Sequence, residues 1–325
     1  MSTWLVTGGA GYIGAHVVRA FLDAGITPVV LDSLVTGRTE FVPDGVPLVR
    51  ADVRDTPAVA AALREHACEG VVHLAGFKYA GESVSMPLHT YAHNVTGTVS
   101  LLEAMAATHV TRLVFSSSAG VYGTPDVEVV TESTPTRPES PYGESKLVGE
   151  WVIRDQVRAT ADGPHPLAAT SLRYFNVVGS GSTEVWDVSP HNLFPKVFAT
   201  LAAGGAPRIN GTDYPTPDGT CVRDYVHVAD LAAAHVAAAR SLAAGVALEP
   251  VYNLGSGDGT SVQQIMDAIL EVTGVATTVE RGPRRAGDPA RIVARGDLAA
   301  RDLGWAPAHS VHAMVRSAWD ATPRA

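Results

Sequence analysis

Tyr142 and Lys146 stand four residues apart in the run PYGESK. If that run is helical, the two side chains share a face, one turn apart, and reach the same small molecule. A phenol with its ordinary pKa of about 10 is a poor base at neutral pH. A neighbouring ammonium, together with a positive charge on a bound cofactor, favours the phenolate and brings that pKa toward the working range. Such a pair moves a proton to or from a substrate hydroxyl. Tyr and Lys four apart also occur on solvated helix faces, so the chemistry depends on what the rest of the chain places beside them.

A second constellation lies near the N-terminus, where Gly8, Gly9, Gly11 and Gly14 punctuate TGGAGYIG. The run follows an apolar, strand-like stretch and opens a helical one, the setting in which a glycine pattern binds phosphate. Glycines permit a tight turn and close approach of backbone to a pyrophosphate, while the helix N-terminus offers unpaired N–H groups and a positive dipole. The next strand ends in Asp32, about 20 residues after the turn, where a carboxylate accepts from an adenosine ribose and repels the extra phosphate of NADP. The expected cofactor is NAD. Arg38, a little further on, reads as a solvated arginine.

The elements that must position these groups follow from the hydrophobic pattern. Short apolar runs at Trp4–Val6, Pro28–Leu31, Val71–Leu74 and Leu113–Phe115 alternate with amphipathic stretches such as Ala15–Ala24. That alternation predicts βαβ units and a parallel sheet covered by helices. Residues 124–141, rich in Pro, Thr and Glu, read as an irregular loop. Ser140 followed by Pro141 is an N-cap and first-turn signal, so a helix begins at Tyr142. Beyond about Asn176, Gly, Pro and Asn punctuate residues 179–192 and 206–219, whereas the Ala-rich run Val228–Ala244 reads as a helix of the larger unit. The fold class is therefore α/β: a Rossmann-type, doubly wound parallel sheet with a smaller, mixed α/β substrate-binding lobe. The first unit spans 1–176, joined by about 224–246, and the lobe spans 177–223 and 247–325.

With 325 residues and 46% hydrophobic composition the chain can bury a substantial core without staples. Cys68 and Cys221, far apart in a sequence lacking a secretory leader pattern, read as idle thiols in a reducing, cytoplasmic setting rather than a disulfide or metal site. No apolar run approaches the roughly 18 residues of a membrane span, so no membrane partner is expected. A formal charge of -9, with no basic stripe to offset it, argues against nucleic acid. No metal is expected.

TGxxGxxG near the N-terminus and YxxxK after a serine-rich strand end resemble the extended short-chain dehydrogenase/reductase superfamily. The runs HLAGFKYAGESVSMPLHTYAHNVTGT, SSSAGVYG, SLRYFNVVG, NLFPKV, GTDYPTPDGTCVRDYVHVADLA, YNLGSGDGTSV and RRAGDPA, in that order and spacing, resemble UDP-glucose 4-epimerases over nearly the whole chain. The resemblance implies that Ser118 hydrogen-bonds the sugar 4-oxygen and shares the proton path with Tyr142, with Ser116 and Ser117 as structural neighbours. It places Tyr12, Ile13, Ser33, Asp52, Val53 and Ala75 around the cofactor's phosphates and adenosine, and Lys78, Asn94, Tyr174 and Phe175 around nicotinamide or sugar. On the substrate side it sets Asn176, Asn192 and Leu193, with Arg223 and Arg285 on the UDP diphosphate and Asp288 on the uridine ribose. A planar guanidinium fork suits a diphosphate better than a point charge does. His227 reads as a packed core histidine.

The chemistry implied is transient oxidation at carbon 4 of a UDP-hexose, rotation of the keto sugar and reduction from the other face, with no net redox. NAD is then a tightly held prosthetic group and binding energy is concentrated on UDP. The family also implies a homodimer, with helices around Val95–Ala107 and Tyr142–Val157 as interface candidates. Two departures matter. Gly120 stands in AGVYG where the family commonly has ATVYG, and the RRAGDPARIVA region is one residue shorter than in some relatives, bringing Arg291 near the gate. UDP-GlcNAc/GalNAc and UDP-uronic acids thus remain alternative substrates. A nucleotide-sugar 4,6-dehydratase would carry Asp-Glu where this chain has Ala119 and Gly120, and a non-catalytic NAD-binding protein would typically lack the Tyr/Lys pair.

Overall fold

A computed structural model describes residues 2–284 and 289–323. The chain opens with β1 (Thr3–Thr7), α1 (Tyr12–Asp23), β2 (Thr27–Asp32), β3 (Leu48–Arg50), α2 (Thr56–Glu65) and β4 (Gly70–His73). Two short helices, α3 (Ala80–Ser85) and α4 (Pro87–Tyr91), run through a π-turn at Ala92–Thr96 into α5 (Gly97–Thr108). Then come β5 (Arg112–Ser118), α6 (Pro141–Thr160) and β6 (Ala168–Tyr174). The chain next builds β7 (Asn176–Val178), α7 (Leu193–Ala202), β8 (Arg208–Asn210), β9 (Val222–Arg223) and β10 (Tyr225–His227). It returns through α8 (Val228–Ala243) to β11 (Val251–Leu254). β12 (Thr260–Ser261), α9 (Val262–Thr273), β13 (Glu280–Gly282), β14 (Arg291–Ile292), α10 (Asp297–Leu303) and α11 (Val311–Ala321) complete it.

Seven parallel strands form one sheet in the order β11-β6-β5-β4-β1-β2-β3. Alternation along β1 shows how both faces are covered. Trp4 and Val6 join Val17, Phe21 and the alanines of α8 on one face, while Leu5 joins Leu63, Leu101 and Met105 of α2 and α5 on the other. Gly70 makes room for the indole, since a Cβ there would lie 2.7 Å from Trp4. The Rossmann-type doubly wound sheet read from the sequence is the observed fold. A separate core of Phe194, Phe198, Ile209, Ile265, Ile269 and Met314 holds α7, α9 and α11 together beside the sheet.

The lobe boundary drawn at 247 is corrected at two places. β11 pairs with β6 and forms an edge of the large sheet. Ala299 and Trp305, with α10, pack into the α1–α8 core, and the Trp305 indole donates to the Asp230 carbonyl at 2.7 Å. The run VYNL is too short to announce itself, yet the α8 crossover delivers it parallel to β6.

Four histidines lie inside this framework: His16, His73, His227 and His235 are all 4% exposed or less. Burial holds His73 down to about 3 and the other three to about 4. His227, stacked on His309 at 3.9 Å, is the packed histidine expected from the sequence. Because the unfolded chain takes up protons near pH 6.5 and these folded-state imidazoles resist doing so, their stabilisation is complete above pH 6.5 and is lost as pH falls through about 4. Thermal melts between pH 7 and 4 should therefore show Tm falling from about pH 6.5 downward, and more shallowly in His235→Phe. An unchanged slope in that variant would show that His235 does not couple to unfolding.

Candidate active site and dinucleotide cleft

The glycine turn leaves β1 at Gly8, whose φ of 72° lies in the left-handed region. A Cβ at Gly8 would meet the Ala75 backbone nitrogen at 2.8 Å, and one at Gly14 would meet the Gly8 carbonyl oxygen at 2.1 Å. These contacts close the turn where β1 and β4 are neighbours and the sheet order reverses, the crevice in which such sheets bind ligands. α1 starts at Tyr12 with Gly11 as N-cap, no side-chain cap and no acidic residue in its first turn, so its N–H groups face the crevice uncompensated. Asp32, 7% exposed, accepts Ala10 N–H at 3.0 Å and Leu34 N–H at 2.8 Å. Burial raises its pKa and those two bonds oppose the rise.

A single cleft of about 880 Å³ runs from this turn across the sheet ends to the lobe. Gly8, Gly11, Tyr12, Ile13, Gly14, Asp32, Ser33, Asp52, Val53 and Ala75 line its first part. Lys78, Tyr142, Lys146, Tyr174 and Phe175 line its middle, and Asn176, Asn192, Leu193 and Arg223 its far end. Arg54 holds the Asp52 carboxyl down to about 2. The Lys78 ammonium is pushed down by burial, against the pull of Asp187. Arg38 pairs with Glu40 at 3.0 Å and lies over Phe41 and Trp186. Arg285 and Asp288 lie outside the described residues.

α6 carries the reactive pair. Ser140 caps it by accepting Gly143 N–H at 3.2 Å, and Pro141 occupies the first turn, as the sequence predicts. The Lys146 ammonium donates to the Ser116 carbonyl at 2.8 Å and lies 6.0 Å from the Tyr142 ring centroid. Burial brings Lys146 down to about 8, opposed by the Glu150 carboxylate. Enclosure raises the Tyr142 pKa, while a hydrogen bond with Ser118 lowers it. Without further positive charge this phenol is an acid rather than a base; an adjacent cation is what the geometry calls for. Gly120 leaves the space beside the pair open, since a Cβ there would lie 3.4 Å from Ser118 Oγ and 3.7 Å from Tyr142 Cδ1.

Asn94, like Ser118, is not among the side chains that line the cleft. It is buried, in the π-turn, donating to the Phe77 carbonyl at 3.0 Å and to Ser145 Oγ at 2.8 Å, and accepting Phe77 N–H at 2.7 Å. It clamps the segment bearing Ala75 and Lys78 to α6 from behind the cleft. Arg291 donates from Nε to the Glu128 carbonyl at 3.3 Å. Other residues on the cleft escaped the sequence reading. Asp187 accepts from Asn192 Nδ2 at 2.7 Å, and Lys196 and Arg208 bring positive charge to the lobe end beside Arg223. Asp187 and Arg208 lie in punctuated segments with no local pattern to flag them, whereas Lys196 lies in the run NLFPKV, from which only Asn192 and Leu193 are read as site residues.

The NAD dependent epimerase/dehydratase family matches residues 4–255. The chain belongs to this family. A UDP-glucose 4-epimerase of Corynebacterium glutamicum is 44% identical over 97% of this chain and 94% of its own length. That of Streptomyces lividans is 44% identical over 98% and 95%. A solved UDP-glucose-4-epimerase from Stenotrophomonas maltophila, with bound NAD and formylated UDP-arabinopyranose, superposes with a TM-score of 0.92 at 40% identity, covering 98% of this chain and 97% of that one. The resemblance to UDP-glucose 4-epimerases read from the motifs is borne out.

NAD fits this cleft: the cradle between Gly8 and Gly14 has no room for side chains, the α1 N-terminus faces it, and Asp32 waits at the β2 end. Gly14→Ala should therefore yield folded protein that retains little NAD, checked by cofactor content after denaturation alongside circular dichroism. Wild-type cofactor content in that variant would place the pyrophosphate elsewhere.

Proposed function

We propose that the protein is an NAD-dependent UDP-hexose 4-epimerase that interconverts UDP-glucose and UDP-galactose. The observation that carries this reading is the Tyr142–Lys146 pair, with Ser118 hydrogen-bonded to Tyr142, on one continuous cleft that runs from the glycine turn to the arginine-bearing lobe. Held by the Gly8–Gly14 turn and Asp32, NAD would supply a reversible hydride acceptor for carbon 4. Tyr142, as phenolate, removes the proton from the 4-hydroxyl, with Ser118 hydrogen-bonded to the same oxygen. Lys146, fixed by the Ser116 carbonyl, supplies the positive field that the enclosed phenolate requires. Arg223 and Arg208 hold the UDP diphosphate, with Arg285 and Asp288 as further UDP contacts from outside the described residues. Anchoring UDP while leaving the sugar unclamped lets the keto sugar present either face before Tyr142 reprotonates it.

In this reading the segments around α7, β8–β10 and α9 form the UDP-sugar lobe. Among the described residues no helix is long and apolar enough to cross a membrane, and the buried free thiols Cys68 and Cys221 suit a reducing cytoplasm. A homodimer is part of the proposal. α5 turns Leu101, Leu102 and Met105 inward, whereas α6 leaves Trp151 47% exposed and α4 leaves Leu88 83% exposed, which favours α6 with α4 as the contact face.

The test is incubation of purified protein with UDP-galactose, without added NAD. Conversion to UDP-glucose is expected, and Tyr142→Phe should cut turnover by about 10²–10⁴-fold while NAD remains bound. UDP-GalNAc and UDP-galacturonate run in parallel decide whether the sugar pocket is wider. Turnover at the wild-type rate in Tyr142→Phe would remove the tyrosine from its role.

A further inference from the structure

Behind the reactive pair lies a buried ion pair with no part in the chemistry so far. Glu150, one turn along α6 from Lys146, and Arg173, near the C-terminal end of β6, are 7% and 5% exposed. Arg173 grips Glu150 with both arms of its guanidinium, Nε to Oε1 at 2.8 Å and Nη2 to Oε2, while Nη1 donates to Tyr122 Oη at 2.9 Å. Tyr122 in turn donates to Asn253 Oδ1 at 2.7 Å. The Ser117 hydroxyl also donates to Glu150 Oε1.

The position of Ser117 gives this network its meaning. Ser116, Ser117 and Ser118 pair in register with Leu172, Arg173 and Tyr174, so strand alternation sends Ser117 and Arg173 to the α6 face and their neighbours to the other. The Ser116 carbonyl holds the Lys146 ammonium, and Ser118 bonds Tyr142. Glu150 therefore grips the residue between the two that touch the reactive pair. α6 is pressed close there, since a Cβ on Gly149 would lie 2.7 Å from the Phe115 ring. A buried ion pair is a poor source of stability compared with apolar residues of the same volume, so stability alone leaves this one unexplained.

We propose that Glu150, gripped by Arg173 and bonded to Ser117, is a positioning residue that fixes the β5 end against α6 and keeps a negative charge one turn from Lys146. The proposal rests on the epimerase reading above. Groups facing Lys146 from the packed elements are Tyr142 and Glu150 on α6 and His73 on β4, and His73 is held neutral by burial. Arg173 on β6 faces Glu150, and Tyr174 on β6 faces Tyr142. Glu150 is thus the negative charge that offsets the desolvation of the lysine. Its loss lets Lys146 shed its proton at lower pH and moves the alkaline limb of the kcat profile toward acid.

The test compares NAD-loaded wild type with Glu150→Gln, Ser117→Ala and Tyr142→Phe, measuring kcat and KM for UDP-galactose against pH. Glu150→Gln should lower kcat by about 10-fold or more with little change in KM, and move the alkaline limb down by about one pH unit. Ser117→Ala should lower kcat with the limb in place, because the tie is lost and the charge kept. If Glu150→Gln does not fold, Glu150→Gln/Arg173→Met, which buries no unpaired charge, takes its place, with the same fall in kcat and a smaller acid shift of the limb because a positive charge is removed as well. A folded Glu150 variant with an unmoved limb overturns the proposal whatever its Tm, as does wild-type kcat in Ser117→Ala. Tyr142→Phe separates the two readings: if it is inactive while the limb stays put, this inference alone fails, and if it turns over normally, the epimerase assignment fails first.

Discussion

A lysine must stay charged where water is largely excluded, and the rest of the structure is arranged around that demand. Lys146 is 6% exposed, and burial alone favours its neutral form. The Ser116 carbonyl at 2.8 Å and the Glu150 carboxylate one turn away compensate. Both exist only because α6 lies flat on the ends of β5 and β6. The parallel sheet supplies that junction, since βαβ crossovers bring every strand's C-terminal end to one side and the reversal between β1 and β4 opens a crevice there. The glycine turn and the tyrosine–lysine helix, far apart in sequence, thus face the same cleft.

Strand alternation divides the work within β5. One face of the serine run carries Ser116, bonded to Tyr174, and Ser118, bonded to Tyr142. The other carries Ser117, tied to the Glu150–Arg173 pair. A one-residue slip of β5 would exchange the two sets, which makes the long in-register pairing of β5 with β6 a condition for chemistry as well as for folding. Asn94 performs the matching task on the opposite wall, tying the Phe77 backbone to Ser145. The reactive groups are held from behind on two sides while the cleft itself stays open for ligand.

Much of this was legible because it follows local rules. The glycine turn, Asp32 at a strand end, the Ser140–Pro141 start of α6 and the βαβ alternation each need only a few neighbouring residues to be recognised. What escaped depends on distant pairing. Glu150 reads as a polar position on a helix until β6 delivers Arg173, and the bonds of Asn94 to the Phe77 backbone and Ser145 carry no local signal. β11 is four residues of ordinary strand sequence, VYNL, whose membership in the large sheet is decided by the α8 crossover. Asp187 and Arg208 reach the cleft from segments whose backbone path no periodicity sets.

The central claim is that positive charge around Tyr142 converts an enclosed phenol into a base, and ionisation of that phenol tests it most directly. Phenolate absorbance would be titrated in the NAD-loaded protein, in the same protein after reduction of its cofactor, and in Tyr142→Phe. One tyrosine should ionise well below about 10 with oxidised cofactor, return upward on reduction as the positive charge is lost, and be missing from the variant. Absence of any Tyr142-dependent ionisation below about 10 with the oxidised cofactor would contradict the claim.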